Sequence, residues 1–191
     1  MSEAARKRPK LTGEDRLPGD PSRAELVARM IRVDHAGEYG AARIYDGQLA
    51  VLGRAAGAGE IRRMAEQEKS HLEAFDKLVV ERRVRPTALS PLWHVAGYAL
   101  GAASALMGER AAMACTVAVE TVIGEHYAGQ AARLGDDEAE LRALIEEFRE
   151  DELGHRDAAL AGGAEEMAGY GPFTRAVKAG TRLAIWLSER I

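Results

Sequence analysis

Hydrophobic residues recur every three or four positions over most of this chain, which is the spacing of amphipathic α-helices. A capping-box pattern at Ser22 and Glu25 opens the first predicted helix, which continues to about residue 52. Three further long helices are predicted over residues 60–83, 109–134 and 137–160. Four long amphipathic helices indicate an all-α fold built as a four-helix bundle.

Two more segments are predicted to be helical and are unusually rich in apolar residues. Residues 91–107 contain no formally charged side chain, but the run is shorter than the ~20 residues needed to cross a bilayer. We interpret it as a buried or membrane-surface helix whose small residues permit close packing. The last helix, over residues 172–190, is amphipathic. Both helices could face lipid, or they could simply cap the bundle.

Composition and charge narrow the class of protein. The 191 residues suffice for one domain with a full core. The net charge of −4, without a long basic tract in the folded part, argues against nucleic acid as the main partner. The single Cys115 excludes an internal disulfide and a thiolate-rich metal site, and it favours a reducing compartment. Residues 1–20 lack the apolar stretch of a signal peptide, so we expect a disordered lead-in before a domain over residues 21–191.

Acidic residues interrupt the apolar stripes of the four long helices in a pattern that occurs twice. Each half has a lone glutamate followed, 30 or 32 residues later, by a Glu-x-x-His motif. Residues three apart share a helix face, so the Glu and His of one motif can bind the same ion. Carboxylate bundles bind two iron or manganese ions with this ligand set. The six predicted ligands are Glu38, Glu68 and His71 in the first half and Glu120, Glu152 and His155 in the second.

Four inward acids need positive charge, because burying an unpaired carboxylate costs several kcal/mol. The alternative to metal is a layer of salt bridges, which would require Arg or Lys on the same stripes. No such residue stands near the predicted ligands. We expect Glu68 and Glu152 to bridge the two ions, while Glu38 and Glu120 bind one ion each.

Other polar residues are candidates for supporting roles. Ligating histidines generally donate their second ring N–H to an outer carboxylate or carbonyl. Asp34 and Asp151 are candidates for that role, and a solvated surface position is the alternative for each. Tyr127, two turns after Glu120, is expected either to line the site or to be an ordinary core tyrosine. The other histidines are expected to be structural or exposed: His35, His94 and His126.

Three stretches closely resemble the demethoxyubiquinone hydroxylase family. They are RVDHAGEYGA at residues 32–41, ACTVAVE at residues 114–120 and AIWLSER at residues 184–190. The similarity extends from about Arg29 to the end of the chain. It implies a ferritin-like di-iron monooxygenase of ubiquinone biosynthesis. Such an enzyme hydroxylates 2-polyprenyl-3-methyl-6-methoxy-1,4-benzoquinone with O2 and electrons linked to NADH, and all six family ligand positions are filled here.

The resemblance also implies roles outside the metal ligands. Arg29 and Tyr127 occupy family positions that lie near the reductant or the substrate ring, and Trp186 replaces a tyrosine that is common near the chain end. Family members bind membranes peripherally and associate with a lipid-presenting protein of quinone synthesis. Since exposing a prenyl tail to water costs ~0.8 kcal/mol per CH₂, we expect the helices near 91–107 and 172–190 to face lipid.

The lack of a presequence pattern favours the cytoplasmic face of a bacterial inner membrane. Two other functions remain open at this point. One is a ferritin-like di-metal oxidase or peroxidase that uses the same ligands. The other is a non-enzymatic helical lipid-binding protein. Metal content and liposome binding distinguish these possibilities.

Overall fold

The computed structural model describes residues 19–55 and 58–191, and within these ranges every regular element is helical. The predicted all-α fold is therefore confirmed. The α-helices are α1 (Arg23–Leu52), α2 (Ala58–Glu81), α3 (Ser90–Leu106), α4 (Glu109–Ala131), α5 (Ala139–Ala161) and α6 (Tyr170–Ser188). Short 3₁₀ turns precede α5 and α6, over Asp136–Glu138 and Ala164–Glu166. Of the predicted lead-in over residues 1–20, all but the last two residues lie outside the described part of the chain.

The capping box predicted at the start of the first helix is formed in the structure. Ser22 and Glu25 form the reciprocal capping box at the start of α1: the Glu25 amide donates to Ser22 Oγ at 3.2 Å, and the Ser22 amide donates to Glu25 Oε2 at 2.6 Å. Several helix ends differ from the predicted bounds by two or three residues, because the last turns relax into 3₁₀ or irregular turns.

The bundle consists of α1, α2, α4 and α5, with α1 packed on α2 and α4 packed on α5. The buried apolar residues form two clusters along these helices. On α2, for example, Ile61 and Met64 belong to one cluster and Phe75 to the other, and the motif with Glu68 lies between them. The second motif on α5 is enclosed in the same way, with Ile145 of one cluster before it and Ala159 of the other after it. The predicted ligands therefore form a polar layer enclosed by hydrophobic core on both sides.

The remaining long helices cover the sides of the bundle, α3 along α1 and α6 along α4. Contact between α1 and α3 is close because glycines face the neighbouring backbone. A Cβ at Gly101 would overlap the carbonyl oxygen of Ile44, and one at Gly47 would lie 2.7 Å from the amide of Ala102. This agrees with the prediction that small residues in 91–107 permit close packing. None of the described helices combines the length and the apolar character that crossing a bilayer requires.

Candidate metal centre

The structure brings all six predicted ligands together in the middle of the bundle. Helix α1 supplies Glu38 and α4 supplies Glu120, while α2 and α5 supply the two Glu-x-x-His motifs. Every one of the six is buried, with at most 2% of its surface exposed. Helical periodicity explains this, because each residue lies on the inward stripe of its helix.

Two overlapping groups of ligand atoms form in this layer. Glu38, Glu68, His71 and Glu152 can each offer one atom within 4.8 Å of the others, and so can Glu68, Glu120, Glu152 and His155. Glu68 and Glu152 belong to both groups, which is the arrangement expected of carboxylates that bridge two ions. The other residues belong to one group each. That these groups bind metal is still a prediction.

The donor atoms fit a pair of cations. Six buried ligand atoms make no hydrogen bond within the described structure: Glu38 Oε2, both oxygens of Glu68, His71 Nδ1, Glu120 Oε2 and Glu152 Oε1. Buried acceptors without donors are strongly unfavourable unless a cation satisfies them. Carboxylate oxygen together with imidazole nitrogen suits iron or manganese.

The ionisation of these groups reflects their burial and their mutual repulsion. Burial, followed by the nearby Glu152 carboxylate, raises the pKa of Glu68 and of Glu120 well above the ordinary value. Burial opposes ionisation of Glu152 as well, but the His155 and His71 rings, whose Nδ1 atoms lie 3.2 and 3.3 Å from its oxygens, outweigh burial and lower its pKa to about 2. For His71, burial disfavours the charged form, yet Glu152 and Glu38 raise its pKa to about 10. Protons therefore hold positions that divalent cations would take over.

Both candidate histidine ligands present Nδ1 to the cluster and Nε2 to an outer acceptor. His71 Nε2 donates to Asp151 Oδ2 at 3.1 Å, as expected for one of the two aspartates proposed from the sequence. His155 Nε2 donates to Gln67 Oε1 at 3.0 Å. Gln67 was not predicted for this role, although it precedes Glu68 just as Asp151 precedes Glu152. The repeat between the two halves was the signal that could have identified it.

The other proposed aspartate does not contact a candidate metal ligand, so that part of the prediction is wrong. Asp34 Oδ1 accepts a hydrogen bond from Gln130 Nε2 at 2.8 Å and lies 3.3 Å from His126 Nε2. Asp34 lies one turn before Glu38, and its side chain is directed to α4 rather than to the motif histidines on α2 and α5. Burial raises its pKa above the ordinary aspartate value. His126, like His35 and His94, lies outside both ligand groups.

Two tyrosines donate hydrogen bonds to the outer glutamates, Glu38 and Glu120, which belong to one ligand group each. Tyr127 donates its hydroxyl hydrogen to Glu38, and Tyr45 donates to Glu120 at 2.8 Å. Tyr127 was one of the residues considered for the site, whereas Tyr45 was not predicted for this role. Their equivalence was visible in the spacing, since each stands seven residues after a predicted ligand. Burial raises the pKa of both phenols well above the ordinary value, so both stay protonated donors.

Two residues given roles by the resemblance lie away from the six ligands. Arg29 is partly exposed on α1, nine residues before Glu38, which is roughly 13 Å along the helix axis. Within the described chain no hydrogen bond or ion pair involves its side chain. Trp186 is half exposed on α6, with the Arg190 guanidinium 4.2 Å from the ring centroid. Roles for these residues in electron transfer or ring binding stay predictions.

An apolar cavity of about 260 Å³ lies beside the metal layer, between α1, α3, α4 and α6. Gly37 and Val119, which precede the candidate ligands Glu38 and Glu120, contribute to its wall. Most of the remaining wall is aliphatic or glycine, including Gly40, Leu100, Ile123 and Ile185, and Trp93, Thr181 and Ser188 complete it. The cavity therefore offers a hydrophobic binding volume next to the candidate metal centre.

Comparison with known proteins identifies relatives over almost the whole chain. Residues 25–188 match the family described as "Ubiquinone biosynthesis protein COQ7". The chain is 60% identical over 181 residues to the 3-demethoxyubiquinol 3-hydroxylase of Rhodospirillum rubrum, which covers 94% of this chain and 85% of that protein. It is 52% identical over 169 residues to the mitochondrial NADPH-dependent 3-demethoxyubiquinone 3-hydroxylase of Homo sapiens, covering 86% and 78% of the two chains. The mitochondrial 5-demethoxyubiquinone hydroxylase of Saccharomyces cerevisiae is 40% identical over 187 residues, covering 89% and 80%.

Proposed function

Because this chain belongs to the family of the ubiquinone biosynthesis protein COQ7, we propose that it is a monooxygenase that hydroxylates demethoxyubiquinone. The observation that carries the proposal is the pair of buried ligand groups that share Glu68 and Glu152. The named relatives are hydroxylases of this substrate or of its reduced form. The oxidase, peroxidase and lipid-carrier alternatives have no such support.

The reaction requires electrons and protons as well as dioxygen. One oxygen atom replaces the hydrogen on the open ring carbon as a hydroxyl group, and the other leaves as water with two electrons and two protons. We propose a reduced nicotinamide nucleotide as the electron source. The resemblance predicts NADH, whereas the names of the human and Dictyostelium discoideum relatives specify NADPH for those proteins. Parallel assays with the two nucleotides test the choice.

We propose that two iron ions occupy the centre. Glu38 and His71 would hold one ion and Glu120 and His155 the other, with Glu68 and Glu152 shared. When bound, the ions supply the dioxygen and redox chemistry that side chains lack.

The chain's own groups orient this set. Tyr127 and Tyr45 fix the outer carboxylates, Asp151 and Gln67 fix the imidazoles, and the two hydrophobic clusters exclude water from the layer.

We propose that the apolar cavity beside the ligands receives the quinone and the first part of its prenyl tail. Its wall carries almost no polar groups, which suits a hydrocarbon chain. The helices that enclose it on one side, α3 and α6, and the residue that follows α3 also expose large apolar side chains that are each at least half accessible: Leu92, Val95, Leu106, Met107, Leu183 and Trp186.

Helix α6 combines this apolar surface with the basic residues Arg175, Lys178 and Arg182, and Arg190 follows shortly after its end. Such a helix suits an anionic lipid surface. We therefore propose peripheral binding to a membrane, at the cytoplasmic face of a bacterial inner membrane, with delivery of the substrate from the bilayer or from a lipid-presenting protein.

The test is hydroxylation by the full chain reconstituted anaerobically with ferrous iron. Demethoxyubiquinone, NADH and ¹⁸O₂ are added, and the product is analysed by mass spectrometry alongside metal counting. We expect one ¹⁸O atom in the ring hydroxyl. Glu68→Ala and Glu152→Ala should lose iron and activity together, while the exposed Glu147→Ala on the same helix as Glu152 should keep both. Full activity in an iron-free variant would disprove the proposal, and circular dichroism shows whether each variant is folded.

A further inference from the structure

The two halves of the centre repeat one another, but the residues that contact the two motif histidines from outside differ in charge. In each half the residue before the motif glutamate contacts the histidine of the opposite motif. Asp151 accepts from His71 Nε2 at 3.1 Å, and Gln67 accepts from His155 Nε2 at 3.0 Å. The outer acceptor is therefore a carboxylate on one side and a neutral amide on the other.

The surroundings of the amide increase this difference. Arg63 Nη1 lies 3.4 Å from the same Gln67 oxygen, so that oxygen is shared between two donors. The Arg63 guanidinium also draws electron density from the amide. Hydrogen bonds to an ionised acceptor are roughly twice as strong as those to a neutral one. A stronger outer acceptor makes an imidazole the more basic metal ligand.

The glutamates Glu38 and Glu120 are held alike on the two sides. Each outer glutamate receives one tyrosine hydroxyl, Glu38 from Tyr127 and Glu120 from Tyr45. The ring of His71 also stacks on Phe148, with centroids 3.9 Å apart. This packing holds the ring in place independently of Asp151, so a change at Asp151 alters the donor strength of the imidazole more than its orientation.

We propose that Asp151 and Gln67 make the metal affinities of the two positions unequal. The position formed with Glu38 and His71 binds its ion first and more tightly, and the position formed with Glu120 and His155 binds second. This inference rests on the metal pair proposed above and adds an order of loading to it. Asp151 and Gln67 act through the histidines and are positioning residues.

Stepwise titration of the metal-stripped full chain with Mn²⁺ tests the order. A competing chelator dye reports the two affinities, and electron paramagnetic resonance distinguishes single Mn²⁺ ions from coupled pairs. In the unaltered chain the first equivalent should bind at least about tenfold more tightly and give the single-ion signal. Asp151→Asn should weaken the first step by about 10- to 100-fold, which is the usual effect of losing such an outer partner. Gln67→Glu should tighten the second step.

Glu147→Gln is the matched control, because it removes one charge from an exposed position one turn before Asp151. It should leave both steps unchanged. Equal affinities for the two Mn²⁺ ions in the unaltered chain would overturn the proposed difference between the metal positions. Identical titrations of Asp151→Asn and Glu147→Gln would do the same. Either result would leave the proposed metal pair in place. An unaltered chain that binds no Mn²⁺ would overturn both this inference and the proposed metal centre.

Discussion

Tyr45 donates a hydrogen bond to Glu120 across the bundle at 2.8 Å, although it stands on the helix that carries Glu38. The reciprocal bond runs from Tyr127 on α4 to Glu38 on α1. Each outer glutamate is thus held by a tyrosine from the opposite half of the chain. The crossed pair ties α1 to α4 at the level of the ligands.

Removing one hydroxyl from this pair should destabilise the fold. In Tyr45→Phe, the buried Glu120 Oε1 loses its donor, which costs about 1–3 kcal/mol in the free energy of unfolding. Urea denaturation of the metal-stripped protein measures this as a lower midpoint. Tyr98→Phe is the control, since the Tyr98 ring packs under Arg43 and keeps that contact as phenylalanine. Equal midpoints for both variants would show that the Tyr45 bond contributes nothing to stability.

Metal affinity should rise with pH across the neutral range. The pKa of His71 at about 10 means that this imidazole holds a proton at neutral pH, and burial raises the pKa values of Glu68 and Glu120, which favours their protonated forms as well. An incoming cation displaces those protons, so affinity should increase about tenfold per pH unit for each proton released. Mn²⁺ competition titrations between about pH 6 and pH 8 check the slope, and proton release can be followed in weak buffer. An affinity that stays constant over this range would contradict the assigned protonation.

Filling the apolar cavity should weaken substrate binding without unfolding the protein. A side chain at Gly40 would enter the cavity, because a Cβ there meets no atom within 4 Å. Gly40→Leu should raise the KM for demethoxyubiquinone by about tenfold, since excluding two CH₂ groups of the tail costs about 1.6 kcal/mol at ~0.8 each. Gly59→Leu on the exposed part of α2 also has open space at its Cβ and does not line the cavity. An unchanged KM for Gly40→Leu would place the substrate elsewhere.

The exposed apolar side chains of α6 should contribute to membrane binding. The double variant Leu183→Ala and Trp186→Ala should lower partitioning into vesicles that contain phosphatidylglycerol by at least about tenfold, because each large side chain contributes more than about 1 kcal/mol when buried. Vesicle pelleting measures the effect. Val80→Ala is the matched control, since Val80 is 75% exposed on α2. If both proteins pellet equally, this face does not bind the bilayer.

Close packing of α1 on α3 should depend on glycine. Gly101→Ala would place a methyl group on the carbonyl oxygen of Ile44, a backbone atom that cannot rotate away. We expect a loss of about 1–3 kcal/mol in the free energy of unfolding, as for other overpacked contacts. Gly59→Ala should instead stabilise its helix, by up to about 1 kcal/mol. Thermal unfolding of the two variants should shift in opposite directions, and a shift in the same direction would contradict the close contact.

Helical periodicity and the internal repeat were enough to identify the six candidate ligands. Residues three apart on one helix share a face whatever the neighbouring helices do, so Glu68 with His71 and Glu152 with His155 were predictable. The repeat of the pattern in two halves then supplied the remaining pair, Glu38 and Glu120. The all-α fold followed from the same periodicity.

Contacts between helices were decided only by tertiary packing. The rotation of each helix against its neighbours decides which side chains meet. It brings Tyr45 to Glu120 and Asp34 to Gln130. It also brings Asp151 and Gln67 to the histidines of the opposite motif. Rotation and separation of packed helices arise from the shapes of many side chains and from glycines such as Gly101. No spacing within one helix encodes them, because the partner residues lie on separate helices brought together only by folding.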